Sequence, residues 1–510
     1  MLLQSSGQGV CPPATLAVCY NPCSCIQDII PYEVGALGLT KTGLESLRLR
    51  KVLISLLLLL SPSLVLLGCG STGNPATHIS GLHNRAFVSD DVSGTTSAGI
   101  YIVDAQQDVR PLGLAPIAAG NAPGMMVVTP NRSQTLVFSS TKTQSSDNQF
   151  SIINNQTEAN AVHFALPSYT ESFVVSPDSA TAYIAIPNAP VVGQNPGYIQ
   201  LVNLQAGTTS GQINVPSVHF LAMSNGGNRL LAFSDVQTTL YGQGCSNLSA
   251  AYVFVVIPSD VGIKPCPVIP VPGFDRPVQA YFSSDDTTAY ILNCGPECGG
   301  VQASASIQTL DLSSCDPDAL TCGAPGTAVP VPAATVALVQ GSTMYLAGTP
   351  YADGAPSQPC TGQQTQAPTC GLLTILDLNT MTYPPPTVIT DGYHNRISMA
   401  SNGQLFIGAR TCTEINQPNE IRGCLSIYNS LTTQVGAVVP GGVLIPPQNG
   451  DATGIQPIAQ RTIVYLVQGG SLWVYDVTID ALAHINNNPD NPGEIFGLVG
   501  NFVDVKTVDF

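Results

Sequence analysis

The chain has 510 residues, 9% charged and 44% hydrophobic, with 48 Gly, 41 Pro and a formal net charge of −16. Short apolar runs between Gly, Pro and small polar residues, with Glu, Lys and Arg scarce, exclude a helical body and point to an all-β, loop-rich fold. Residues 1–68 hold four of the basic and three of the acidic side chains, so the remainder carries about −17, a field that repels phosphate backbones and argues against nucleic-acid binding. The length exceeds one ordinary core, but a radial repeat array escapes that limit because each repeat packs on its neighbours.

Residues 1–47 are expected to be a non-native or disordered extension. Cys19, Cys23 and Cys25 form a C-x₃-C-x-C run, with Cys11 upstream. A metal knuckle is the alternative, but it makes little topological sense ahead of an export signal. Residues 48–68 supply that signal: Arg48, Arg50 and Lys51 precede the apolar stretch Val52–Leu60, and Leu66-Leu67-Gly68-Cys69 resembles a bacterial lipobox. A transmembrane helix is the competing reading, yet Ser61-Pro62-Ser63 interrupts a run that falls short of roughly 20 apolar residues. The resemblance implies diacylglycerol on the Cys69 thiol, residues 69–79 as a tether, and a membrane association stabilised by several acyl chains. Gly70 is not the Asp of inner-membrane retention in enterobacteria, so the expected location is the cell envelope, lipid-anchored at the outer membrane or surface.

Residues 80–510 read as repeats. A strand with an apolar or aromatic anchor recurs at Phe87, Leu136, Tyr183, Leu231, Tyr290, Tyr345, Phe406 and Val464, at intervals of 47 to 61 residues. Each is followed by a loop and a second alternating strand, such as GIYIVD, YIQLVN or SLWVYD, most of them closed by Asp or Asn as a turn requires. Two more strands precede the next anchor. Four strands per unit predict a β-propeller of four-stranded blades. Eight units are counted, with seven blades plus a degenerate unit as the alternative. No clear strand precedes Phe87, so the C-terminal segment is expected to supply it and close the ring.

Val174–Gly207, VVSPDSATAYIAIP followed by GYIQLVNLQAG, resembles the YVTN-type β-propeller repeat family, and the likeness extends over residues 80–510. Strict YVTN tetrapeptides are absent, the loops are longer, and cysteines are added.

Ten cysteines follow Cys69. Cys294/Cys298, Cys315/Cys322, Cys360/Cys370 and Cys412/Cys424 fall as close neighbours in loops, and local disulfides in an oxidising compartment are the expected state. Cys245 with Cys266 is the least secure pair, because a predicted strand lies between them. Zinc or iron–sulfur ligation is the competing reading, but the cysteines spread over four repeats and only six His occur.

No GxSxG, HExxH, P-loop or GxGxxG appears. His78, His83, His163, His219, His394 and His484 are scattered. Asp391, His394 and Arg396, in DGYHNR, form the one polar constellation: base, proton shuttle and anion clamp if they face a channel, an ordinary turn otherwise. No metal and no cofactor is expected. The expected function is a monomeric ring that binds a protein, peptide or glycan, with a lactonase-like hydrolase or lyase as the alternative. The binding face should carry the insertions Gln237–Ala250, Gly295–Ala305, Tyr351–Thr369 and Thr411–Gly423.

Overall fold

The computed structural model describes residues 80–509 apart from 92–97, 140–146, 241–244, 246–248, 351–370, 412–423, 431–433, 437–449, 484, 486–492 and 496–499. The extension, signal segment, Cys69 and tether lie outside the described residues, as do Cys360, Cys370, Cys412, His78 and His484.

Eight antiparallel sheets follow one another along the chain, seven of four strands and one of three. The seven four-stranded sheets each run from inner to outer edge in sequence order. Blade 4, for example, is Val218–Met223, Leu230–Thr238, Ala251–Val256 and Val268–Val271. The sheet of three is blade 1, where the C-terminal strand Phe502–Thr507 pairs with Arg85–Asp90, which pairs in turn with Gly99–Asp104. Its outer position is held by the isolated bridge Ile100↔Ile117. Successive inner strands touch all the way round, and that of blade 8, Ala452–Pro457, meets Phe502–Thr507. The protein is thus an eight-bladed propeller closed by its C-terminal strand. Helix is confined, among the described residues, to three short 3₁₀ turns.

Local chemistry explains the regularity. Every anchor lies on the second strand of its blade, and each alternating strand is the third. The Asp or Asn ending the third strand accepts backbone N–H groups of the following turn: Asp104 from Gln106, Asn154 from Gln156, Asn203 from Ala206 and Asp476 from Thr478. The sequence unit therefore supplies three strands of one blade and the innermost strand of the next.

The core is divided among the blade interfaces. Eight large apolar clusters each combine residues of two neighbouring blades, as Phe406 and Ile427 of blade 7 pack with Val464 and Trp473 of blade 8. A sheet buried on both faces by its neighbours needs apolar residues on both, which is why the second strands read as nearly continuous apolar runs.

Buried ion pairs mark the closure. Arg85 bonds Asp509 at 2.6 Å and Glu158 at 2.8 Å, joining the first strand to the last residues and to blade 2. Arg461 of blade 8 grips Asp108 of blade 1 with both terminal nitrogens at 2.7 Å, and the Tyr465 hydroxyl donates to the same carboxylate at 2.6 Å.

Three expected disulfides are present, Cys245–Cys266, Cys294–Cys298 and Cys315–Cys322. Cys424 is also disulfide-bonded, with its partner outside the described residues. Cys245–Cys266 is no hairpin staple. It ties the insertion after the second strand of blade 4 to the segment entering the fourth, and both sulfurs join the core with Leu240 and Ile213 of blade 3.

Candidate functional site at the channel mouth

In a four-stranded antiparallel blade the inner strand begins at the end where the loop between second and third strands emerges. At that end a cavity of about 620 Å³ opens in the middle of the ring. Its wall is made of the first residues of inner strands, including Ser172, Gln279, Val336, Asn395 and Phe502, together with the ends of second strands such as Phe138 and Arg410.

The inner strands do not enter this region regularly. Pairing to the second strand slips by a residue between Val218 and Phe220, Pro277 and Gln279, His394 and Arg396, and Ala452 and Gly454. Such bulges re-aim side chains. In blade 7 the consequence splits the predicted constellation. Residues 394 and 396 would share a face in a regular strand, but the bulge turns Arg396 into the cavity while His394 is fully buried and absent from its wall. Burial pushes the His394 imidazole down to about 4, against the nearby carbonyls of Thr390 and Gly392. Asp391 is buried and does not line the cavity either. Only Arg396 of the three reaches the channel.

Two residues missed from the sequence stand beside it. Tyr393 and Arg410 are directly paired across the first two strands of blade 7, and both line the cavity. The Arg396 Nε donates to the Thr453 carbonyl at 2.9 Å and a terminal nitrogen donates to that of Asn395 at 3.0 Å. The Nε of Arg410 is buried without a hydrogen-bond partner, and neither arginine has an ion pair among the described residues. Burial and then the Arg396 charge hold the Arg410 guanidinium below its ordinary value, with Asp451 and Asp504 opposing. Partial enclosure raises the Tyr393 phenol, and Glu171 and Glu297 push it the same way against the two arginines. Glu171 belongs to the start of blade 3, diametrically across an eight-bladed ring, so opposite charge faces the arginines over the cavity.

His219 does not join this wall. It links blades 3 and 4, with Nδ1 2.8 Å from Glu171 and Nε2 3.2 Å from Asp235. Burial pulls its imidazole down, but the two carboxylates outweigh burial and the net shift is upward. Glu297, within the Cys294–Cys298 turn, is pushed up to about 8 by burial even though the Thr349 N–H donates to it at 3.0 Å.

No protein-family model matches the sequence, and no curated protein does. Among solved structures, the chain is similar to dihydro-heme d1 dehydrogenase NirN in complex with DHE, with 11% identity and a TM-score of 0.54 over 86% of this chain and 78% of that one. Hydrazine synthase of Kuenenia stuttgartiensis matches at 12% identity and a TM-score of 0.45, over 72% of this chain and 98% of that one. A functionally unknown protein from Desulfotomaculum acetoxidans DSM 771 matches at 12% identity and a TM-score of 0.40, over 83% and 98%. At these identities the likeness is one of fold.

Proposed function

We propose that the chain is an envelope-anchored binding module, holding a protein, peptide or glycan partner on the face where the cavity opens. One contrast carries this reading. Blade 8 joins its second and third strands with the two-residue turn Gly469-Gly470, both at positive φ, the conformation a tight hairpin of this hand requires. The ring therefore needs no more than two residues there, yet blades 4 to 7 spend the insertions Gln237–Ala250, Gly295–Ala305, Tyr351–Thr369 and Thr411–Gly423 at the equivalent place. Disulfides tie the insertion of blade 4 to its outer edge and fold that of blade 5 into a short turn. Pre-ordered loops lose less entropy on association. Val301, on one of these loops, and Val192, on the equivalent loop of blade 3, are almost fully exposed, as suits a contact surface.

The test is to shorten Tyr351–Thr369 and Thr411–Gly423 to two-residue turns, check the circular dichroism spectrum, and compare capture of identified envelope components with that of the parent protein. Capture should fall about tenfold or more; equal capture by the trimmed ring sinks the idea. The anchor is a separate matter. Cys69→Ser should abolish incorporation of labelled palmitate and move the protein out of the membrane fraction, and a membrane-bound, unlabelled variant would refute lipidation.

A further inference from the structure

We infer that the channel mouth binds a small organic carboxylate, with Arg396 and Arg410 taking the anionic group and the apolar wall of Phe220, Leu221, Val278 and Val336 taking the hydrocarbon part. The inference rests on the binding-module reading and names a ligand for it.

Two guanidinium groups from one blade share a cavity of about 620 Å³. Three enclosed cations elsewhere meet carboxylates, Arg85 with Glu158 and Asp509, Arg461 with Asp108, and Lys506 with Asp504, although Arg229 also has a buried Nε without a partner among the described residues. The two channel arginines make no ion pair among the described residues. The Arg396 contacts are backbone carbonyls, and the Arg410 Nε has no hydrogen-bond partner among the described residues. The Asp451 carboxylate, also on the wall, accepts from the Thr411 N–H at 2.7 Å, which commits one of its oxygens to the backbone. Like charges brought together and partly desolvated raise the energy of the empty site, unless an anion completes it. A guanidinium presents a planar fork of donors that fits a carboxylate through two parallel hydrogen bonds.

The surroundings select among anions. The chain carries a net charge of −16 and the cavity wall itself holds Asp91, Glu171 and Asp451, so large polyanions are repelled and attraction for a small anion must come from the adjacent arginines. Phe220, Leu221, Val278 and Val336 belong to the inner strands of blades 4, 5 and 6. A bare inorganic ion would leave these apolar surfaces in water, whereas a carboxylate bearing a short hydrocarbon chain covers them.

Isothermal titration with glutarate, hexanoate and inorganic phosphate on the full propeller decides the matter. At least one of the carboxylates should bind saturably and more tightly than phosphate, and Arg396→Gln and Arg410→Gln should each weaken it about tenfold or more. Arg132→Gln, on an exposed turn of blade 2, should leave it unchanged. Because Arg410→Gln also relieves repulsion in the empty site and breaks no hydrogen bond at Nε, its melting temperature without ligand should equal or exceed that of the parent; a structural role for Arg410 predicts a lower one. The proposal is overturned by absence of saturable carboxylate binding, by phosphate binding as tightly as the better of the two carboxylates, or by unchanged affinity in either glutamine variant. If the carboxylates fail while loop trimming still abolishes partner capture, this site is wrong and the module reading stands. If they bind and capture is indifferent to the loops, the converse holds.

Discussion

Two pairs of enclosed arginines in this ring are treated in opposite ways. At the closure, Arg85 and Arg461 each meet carboxylates within 2.8 Å, so their charges hold the first blade to the last strand and to its neighbours. At the channel mouth, Arg396 and Arg410 stand beside each other without an ion pair among the described residues. The first arrangement is what a fold needs, since removing either member leaves an uncompensated buried charge. The second leaves the Arg410 Nε without a partner among the described residues, as a binding site would. The difference teaches that burial of a charge says little about its role until its partners are counted.

The sharpest way to break the comparison is at the closure. Arg85→Ala strands the buried Glu158 and frees Asp509, and should cost about 3–5 kcal/mol in urea unfolding; a loss below about 1 kcal/mol would mean that the seam is held by strand pairing alone. The next effect in size is away from both regions. Replacing Cys245 and Cys266 together by Ser opens a link of sequence separation 21 and should cost about 3 kcal/mol, with reducing agent producing at least that loss in the parent, whose other disulfides it opens too. The smallest lies between the two extremes, where His219 is partnered but half-exposed carboxylates screen the pair. Its folded pKa is raised, so its contribution, on the order of 1 kcal/mol, is fully present below the unfolded value of about 6.5 and fades as pH climbs through the raised one. The stability gap between parent and His219→Gln should therefore narrow from pH 6 to pH 9. A gap that widens over that range would contradict the sign.

Periodicity made the ring legible. The anchors and the Asp- or Asn-closed strands carry local signals, a period of two and a turn residue, that survive any tertiary context, and the absent strand before Phe87 pointed to the C-terminus that pairs there. The site was legible only in part. Arg396 was singled out together with His394 and Asp391, on the premise that neighbours in sequence share a face, and one bulged residue broke that premise. Arg410 carried no motif. Its signal was positional, because folding 393–410 into a hairpin about the turn Ser401-Asn402-Gly403 sets Arg410 opposite Tyr393. The Cys245–Cys266 link was doubted because of the strand between its ends, and the meeting of Cys245 with the segment entering the fourth strand was not encoded by spacing.

The offset between sequence unit and blade has a consequence for how such rings change in number. Every unit begins on the second strand of one blade and ends on the first strand of the next, so the covalent chain crosses each interface in the same sense, and the terminal pairing of Phe502–Thr507 with Arg85–Asp90 joins, within blade 1, the two strands that no hairpin connects. A duplication or loss of one whole unit would leave the two ends as complementary as before. Seven-unit and eight-unit chains thus share one closing joint, and the tally of units, rather than any feature of the ends, sets the width of the channel and with it the size of molecule that the arginines can meet.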